Sequence, residues 1–157
     1  MTDNKTILRR VEMMAAARRT NRDWLRAICH LLQRERKHYD WVGIYFLEGT
    51  QLVLGPFVGE PSPHTRIPID RGICGAAVRE RATVVVADVN ADPRYLACSL
   101  KTKSEIVVPL MTEDGRILGE IDIDSHTPNA FTESDRELLE AVAERLAFAL
   151  ALSPKGV

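Results

Sequence analysis

The segment Ser104–Ser125, SEIVVPLMTEDGRILGEIDIDS, decides how the rest of the chain is read. Two runs of alternating, β-branched-rich residues flank Asp114-Gly115, the dipeptide favoured in a two-residue type I′ hairpin loop. With those two residues as the loop, paired positions sum to 229. Glu105 then stands opposite Asp124, and Val107 opposite Asp122. Directly opposed residues share a face, as do residues two apart on one strand. Glu105, Asp122 and Asp124 therefore converge on one face, with Glu120 farther along, while Ile117, Ile121 and Ile123 point the other way, into the core.

A solvated outer face is the ordinary reason for carboxylates to alternate with apolar residues. Against it, like charges directly opposed across a sheet are destabilising, and no Lys or Arg neighbours these acids on this face of either strand. Crowded carboxylates raise one another's pKa, so such a cluster suits gripping an ammonium group or donating a proton.

Outward from the hairpin, the period changes. WVGIYFLEG reads as a strand with Trp41, Gly43, Tyr45 and Leu47 on one face and Val42, Ile44 and Phe46 on the other. A turn at Glu48–Gln51 leads to QLVLGPFVG, its antiparallel partner. The stretch GEPSPHTRIPIDRG is too broken by proline and glycine for a regular element. Gly72 opens a short helix carrying Cys74 in its first turn, and TVVVADV is a buried strand. A polar loop around Asn90, Asp92 and Pro93 then leads to Cys98. Ile7, Leu8, Val11 and Met14 recur at helical spacing, as do Trp24, Leu25, Ile28, Leu31 and Leu32 behind a candidate cap at Asn21. Thr132 and Asp135 form a capping-box pattern ahead of Leu138, Leu139, Val142, Leu146 and Leu150. Helices at both ends around an antiparallel sheet make an α+β domain. They predict a single domain over 1–157, with a helical arm over 1–20 and a core over 21–152.

The chain has 157 residues, 45% of them hydrophobic, enough for one real core. With 21 basic against 22 acidic residues the net charge is −1, which offers no argument for nucleic acid or an anionic membrane. No apolar run spans a bilayer and no signal-peptide pattern is present, so a soluble, cytoplasmic protein is expected. Cys29, Cys74 and Cys98 are neither a disulfide framework nor a metal knuckle. Cys29 falls in a helical pattern as a packed thiol. The histidines, His30, His38, His64 and His126, lack ligand spacing, so no metal site is expected.

The motifs WVGIY, RIPIDRGICGAAV, YLACS, KSEIVVPL and IDIDS, in this order and spacing, resemble the free methionine-R-sulfoxide reductases, which are stand-alone GAF domains. The match runs from about Trp41 to the final helix. The resemblance implies a sheet with terminal helices packed on one face and loops and a short helix enclosing a pocket on the other. It also implies thiol-dependent reduction of free L-methionine-(R)-S-oxide, with Cys98 as nucleophile and Cys74 as resolving or accessory thiol. Glu105, Asp122 and Asp124 would line the pocket, Glu105 as a candidate proton donor, and Trp41 and Tyr45 would enclose the substrate. No bound cofactor is implied; thioredoxin or a similar dithiol would recycle the enzyme, and the terminal helices would favour a homodimer. Many members carry a third cysteine ten residues before the GICG position, where this chain has His64, read as a loop histidine. Cys74 or an outside thiol would then resolve Cys98, with Lys101 and Lys103 close enough in sequence to favour its thiolate. The competing class is a non-catalytic GAF module that senses a small molecule.

Overall fold

The computed structural model describes residues 1–17, 22–97 and 99–152. Four helices run over Asn4–Ala16 (α1), Asp23–Glu35 (α2), Gly72–Glu80 (α3) and Glu133–Ala151 (α4). Six strands run over Trp41–Glu48 (β1), Gln51–Val58 (β2), Arg66–Pro68 (β3), Val84–Val86 (β4), Ser104–Met111 (β5) and Ile117–Ser125 (β6). The strands form one antiparallel sheet in the order β3-β2-β1-β6-β5-β4. The β1–β2 and β5–β6 hairpins thus meet along the β1–β6 seam.

The sheet separates two apolar layers. On one face Val42, Ile44, Ile106, Val108, Leu110, Ile121 and Ile123 pack beneath α1, α2 and α4. Helix α1, the expected N-terminal arm, sinks Ile7, Val11 and Ala15 into that same core. On the other face Trp41, Tyr45, Leu52, Val84, Val86 and Val107 pack against Ile73, Cys74, Ala77 and Val78 of α3. Strand alternation divides the residues between layers as the sequence period requires. Among the described residues, no helix is long and apolar enough to cross a membrane.

A capping box fixes α4, the longest of the helices that cover the sheet. Asp135 accepts from the Thr132 N–H at 2.9 Å, the back half of the anticipated capping box. The same carboxylate accepts from the buried Tyr39 hydroxyl at 2.7 Å and contacts His38 Nε2 at 2.9 Å, tying α4 to the segment before β1. Asn21, the candidate cap of α2, lies outside the described residues; Arg22 is the N-cap and supplies no side-chain bond. Cys29 is packed as expected, its thiol pushed up to about 12 by burial.

The β5–β6 register agrees with the sequence reading at every position that matters: Glu105 pairs with Asp124 and Val107 with Asp122. The turn itself differs. Thr112 N–H donates to Arg116 O, and Gly115 N–H donates to Thr112 O, so Glu113, Asp114 and Gly115 form a three-residue loop. Gly115 takes φ +84°, the left-handed conformation such loops place on glycine. A bulge then sets Met111 against Ile117 but Leu110 against Gly119, absorbing the extra residue. Ile117 is corrected by the same bulge, which turns it onto the α3 side rather than into the helix-covered core.

Two other expectations are corrected. The proline-broken stretch contains β3, held by pairing Leu52 with Ile67. Within TVVVADV only Val84–Val86 pair, and Val85 at the middle is exposed.

Candidate active site

The site face can be read as a grid of paired residues. One row runs Trp41, Asp124, Glu105, Val86 across β1, β6, β5 and β4; the next runs Gly43, Asp122, Val107, Val84. A third sets Tyr45 against Glu120 and Glu120 against Pro109. Alternation brings the four carboxylates together, and α3 and the loops bury them. Glu105, Asp122 and Asp124 are each 4% exposed and Glu120 is 0% exposed, which rules out the solvated face.

Gly43 gives the aromatic wall its shape. A Cβ there would stand 2.2 Å from the Trp41 ring, so the indole lies over the glycine, beside the Asp122–Asp124 row. The ring is held by donation from Nε1 to Glu60 O at 2.9 Å and by stacking on Phe57 at 5.7 Å between centroids. Tyr45 lies 6.4 Å from it and donates its hydroxyl to His64 O at 2.8 Å. The two aromatic residues expected on a common face are thus together.

Two adjoining cavities share Tyr45 and Asp122. The larger is lined by Trp41, Asp124, Asp40, Glu60, Thr102 and His126, and also by Ser99. The smaller reaches Cys74, Glu105, His64, Gly72, Ile73 and Leu96. Cys98 lies outside the described residues. Of its neighbours, Ser99 lines the larger cavity and Ala97 O accepts from His64 Nε2 at 3.0 Å, which requires the Nε2–H tautomer. His64 is therefore part of the pocket wall rather than a remote loop residue. Lys101 is paired with Glu60 at 2.9 Å at the mouth of the larger cavity and exposed, so it does not neutralise the buried acids.

The electrostatics follow from burying acids on acids. Burial pushes Asp122 above the usual carboxylate range, against hydrogen bonding to Glu105 and the Cys74 thiol that holds it down. A bond between two carboxyl groups needs a proton on one of them, so Asp122 and Glu105 hold an acid in place. Burial likewise raises Glu120, opposed by the Cys74 thiol and reinforced by the charge of Asp122. The thiol contact with Glu120 is too loose to count as a well-formed hydrogen bond, and among the described residues both Glu120 oxygens lack one. Cys74 itself is raised well above the usual thiol value, first by burial and then by Asp122, Glu120 and Glu105. Its position in the first turn of α3 would favour the thiolate; surrounding carboxylates overrule it.

Sequence reasoning brought out Trp41, Tyr45, Cys74, Glu105, Asp122 and Asp124, and all six line the two cavities. It missed Asp40, Glu60, Thr102 and His126, which reach the larger cavity from loops. Asp40 alone carried a signal, as the acid directly preceding the WVGIY strand. Its carboxylate accepts from His126 N at 2.7 Å, joining the strand entry to the chain leaving β6.

A family model described as the GAF domain matches residues 15–150. Protein YtsP of Bacillus subtilis is 45% identical over 123 residues, 77% of this chain and 74% of the relative. A free methionine-R-sulfoxide reductase of Escherichia coli is 38% identical over 121 residues, 77% of this chain and 72% of the relative. The solved structure of the free methionine-R-sulfoxide reductase of Neisseria meningitidis, in complex with its substrate, superposes with a TM-score of 0.89 at 36% identity, covering 98% of this chain and 92% of that one.

Proposed function

The chain belongs to the free methionine-R-sulfoxide reductase family of GAF domains, and from that membership we propose that it is an oxidoreductase reducing free methionine (R)-sulfoxide to methionine. The observation that carries the reading is the juxtaposition of an aromatic wall, Trp41 and Tyr45, with the buried acids Asp122, Asp124 and Glu105. The acids attract the ammonium group, and the rings pack against the thioether stem and methyl. A closed, acid-lined pocket accepts the free amino acid and rejects a polypeptide passing through both ends.

In the proposed reaction the Cys98 thiolate attacks the sulfoxide sulfur. The oxygen is a poor leaving group until protonated, and the Glu105–Asp122 pair holds the proton for it. Oxygen passes to Cys98 Sγ as methionine leaves, so the substrate sulfur is reduced and Cys98 becomes a sulfenic acid. Cys74 gives its proton to the neighbouring carboxylates and condenses with that sulfenic acid, releasing water and forming a disulfide. Thioredoxin or a similar dithiol then reduces the disulfide. Net, one sulfoxide and one dithiol give methionine, water and a disulfide. A homodimer through the terminal helices is the proposed assembly, supported by the exposed Met13 of α1 and Phe148 of α4.

The test is NADPH consumption coupled through thioredoxin, with the R and S epimers supplied separately. Turnover of the R epimer alone is expected, and Cys98→Ser should abolish it. Cys74→Ser should stop after one turnover when thioredoxin is the reductant. No NADPH loss with either epimer overturns the enzyme reading and leaves a non-catalytic ligand-binding module.

A further inference from the structure

Three donor atoms meet where α3 crosses the β5–β6 pair. Cys74 Sγ and one carboxylate oxygen each from Glu105 and Asp122 all lie within 4.8 Å of one another, and all three residues are buried. Acids gathered on a sheet do not by themselves make a site, but Asp122, one of the three donors and a lining residue of the small cavity, carries an unpartnered buried oxygen. Among the described residues, Asp122 Oδ1 and both oxygens of Glu120 are buried without a hydrogen-bond partner. The charged groups acting most strongly on Cys74 are Asp122, Glu120 and Glu105, all acids. Burying unpaired charge costs several kcal/mol per ion, so the cluster holds either protons or a cation.

We propose that Cys74, Glu105 and Asp122 form a binding site for a thiophilic divalent cation of the zinc class, whose occupancy inhibits the enzyme. A mixed sulfur and oxygen donor set selects this class: magnesium and calcium avoid thiolate, and copper(I) prefers sulfur alone. Zinc takes sulfur at about 2.3 Å and carboxylate oxygen at about 2.0–2.2 Å, so tetrahedral donors stand roughly 3.4–3.6 Å apart. The donor atoms, all within 4.8 Å of one another, must draw inward to reach that size. The three residues also line the small cavity, where a water completes the shell. Binding displaces the Cys74 proton and the proton shared by the carboxyl groups, with no change of oxidation state. It also withdraws the thiol that the proposed reaction uses to resolve Cys98, and the acid that protonates the substrate oxygen. Inhibition rests on the reductase reading; binding does not.

Reduced, full-length protein titrated with Co²⁺ tests binding directly. One cobalt per chain is expected, with a thiolate-to-cobalt charge-transfer band that added Zn²⁺ abolishes. The band should persist in Cys98→Ala and vanish in Cys74→Ala. Loss of a partner behind a metal ligand costs about 10–100-fold in affinity, so Asp122→Asn, which removes a ligand itself, should weaken binding at least that much. That variant keeps every thiol and serves if Cys74→Ala does not fold. Absence of the band in the native protein, its survival in Cys74→Ala, or its loss only in Cys98→Ala overturns the site. If cobalt binds and zinc leaves R-sulfoxide turnover unchanged in an active enzyme, the inhibitory role is overturned while the site stands.

Discussion

Replacing Glu120 by Gln should change how stability depends on pH. Glu120 is fully buried on β6, faces Cys74 and Asp122, and makes no well-formed hydrogen bond. Burial holds its proton to a pH at which the unfolded chain, with a glutamate value of about 4.3, has already released it. Between those two values folding takes up a proton. Stability is therefore full below the unfolded value and falls as pH rises, until the folded value is passed. One proton corresponds to a slope of about 1.4 kcal/mol per pH unit. Gln has the same shape and does not titrate, so within that window the native protein and Glu120→Gln should diverge at that slope, the variant gaining as pH rises. Urea unfolding under reducing conditions, at intervals from about pH 5 to 7, measures both curves. The pH at which the divergence stops reads the folded pKa of Glu120. Parallel curves would refute the claim that this carboxyl is buried with its proton.

The opposite sign is expected at Asp135. Burial pushes it up, but bonds from Thr132, Tyr39 and His38 together hold it below the usual aspartate range. Its contribution is present above about 3.9 and is lost as pH falls through the folded value, so Asp135→Asn should remove part of the acid limb of the stability profile. Asp135→Ala should destabilise by roughly 3 kcal/mol in urea, because the Tyr39 hydroxyl loses its acceptor and α4 loses the back half of its capping box. Gly43→Ala drives a methyl group into the Trp41 ring; a loss of about 1–3 kcal/mol in stability is expected. If the indole shapes the substrate pocket, KM for the sulfoxide should rise more than kcat falls, and unchanged KM would remove Trp41 from the pocket wall.

Much of the site was legible because a strand has a period of two. The alternation in SEIVVPL and GEIDID placed Glu105, Asp122 and Asp124 on one face, and the alternation in WVGIY placed Trp41 and Tyr45 together. The register came out correctly although the loop has three residues instead of two, because the bulge before Gly119 restores the missing step. Ile117 shows the cost of that compensation, since it lies on the turn side of the bulge and changes face. His64, Glu60, Thr102 and His126 were not legible as pocket residues. They reach it from loops, whose paths follow no period.

By itself the chain's pattern determined the α+β class, the paired hairpins, the packed terminal helices and the gathering of carboxylates on one side of the sheet. These are local matters of period, capping and register, and nearest neighbours suffice to set them. Tertiary structure decided whether that acidic face met water or protein. Helix α3 and the loops close over it, placing Cys74 among three acids that come from two other strands. A carboxylate on a strand looks the same in sequence whether it is solvated or buried. Only the packing of distant elements removes the water, and with the water gone Asp122, Glu120 and the Cys74 thiol are pushed toward their protonated forms, and a face that could have been solvated becomes a pocket with chemistry.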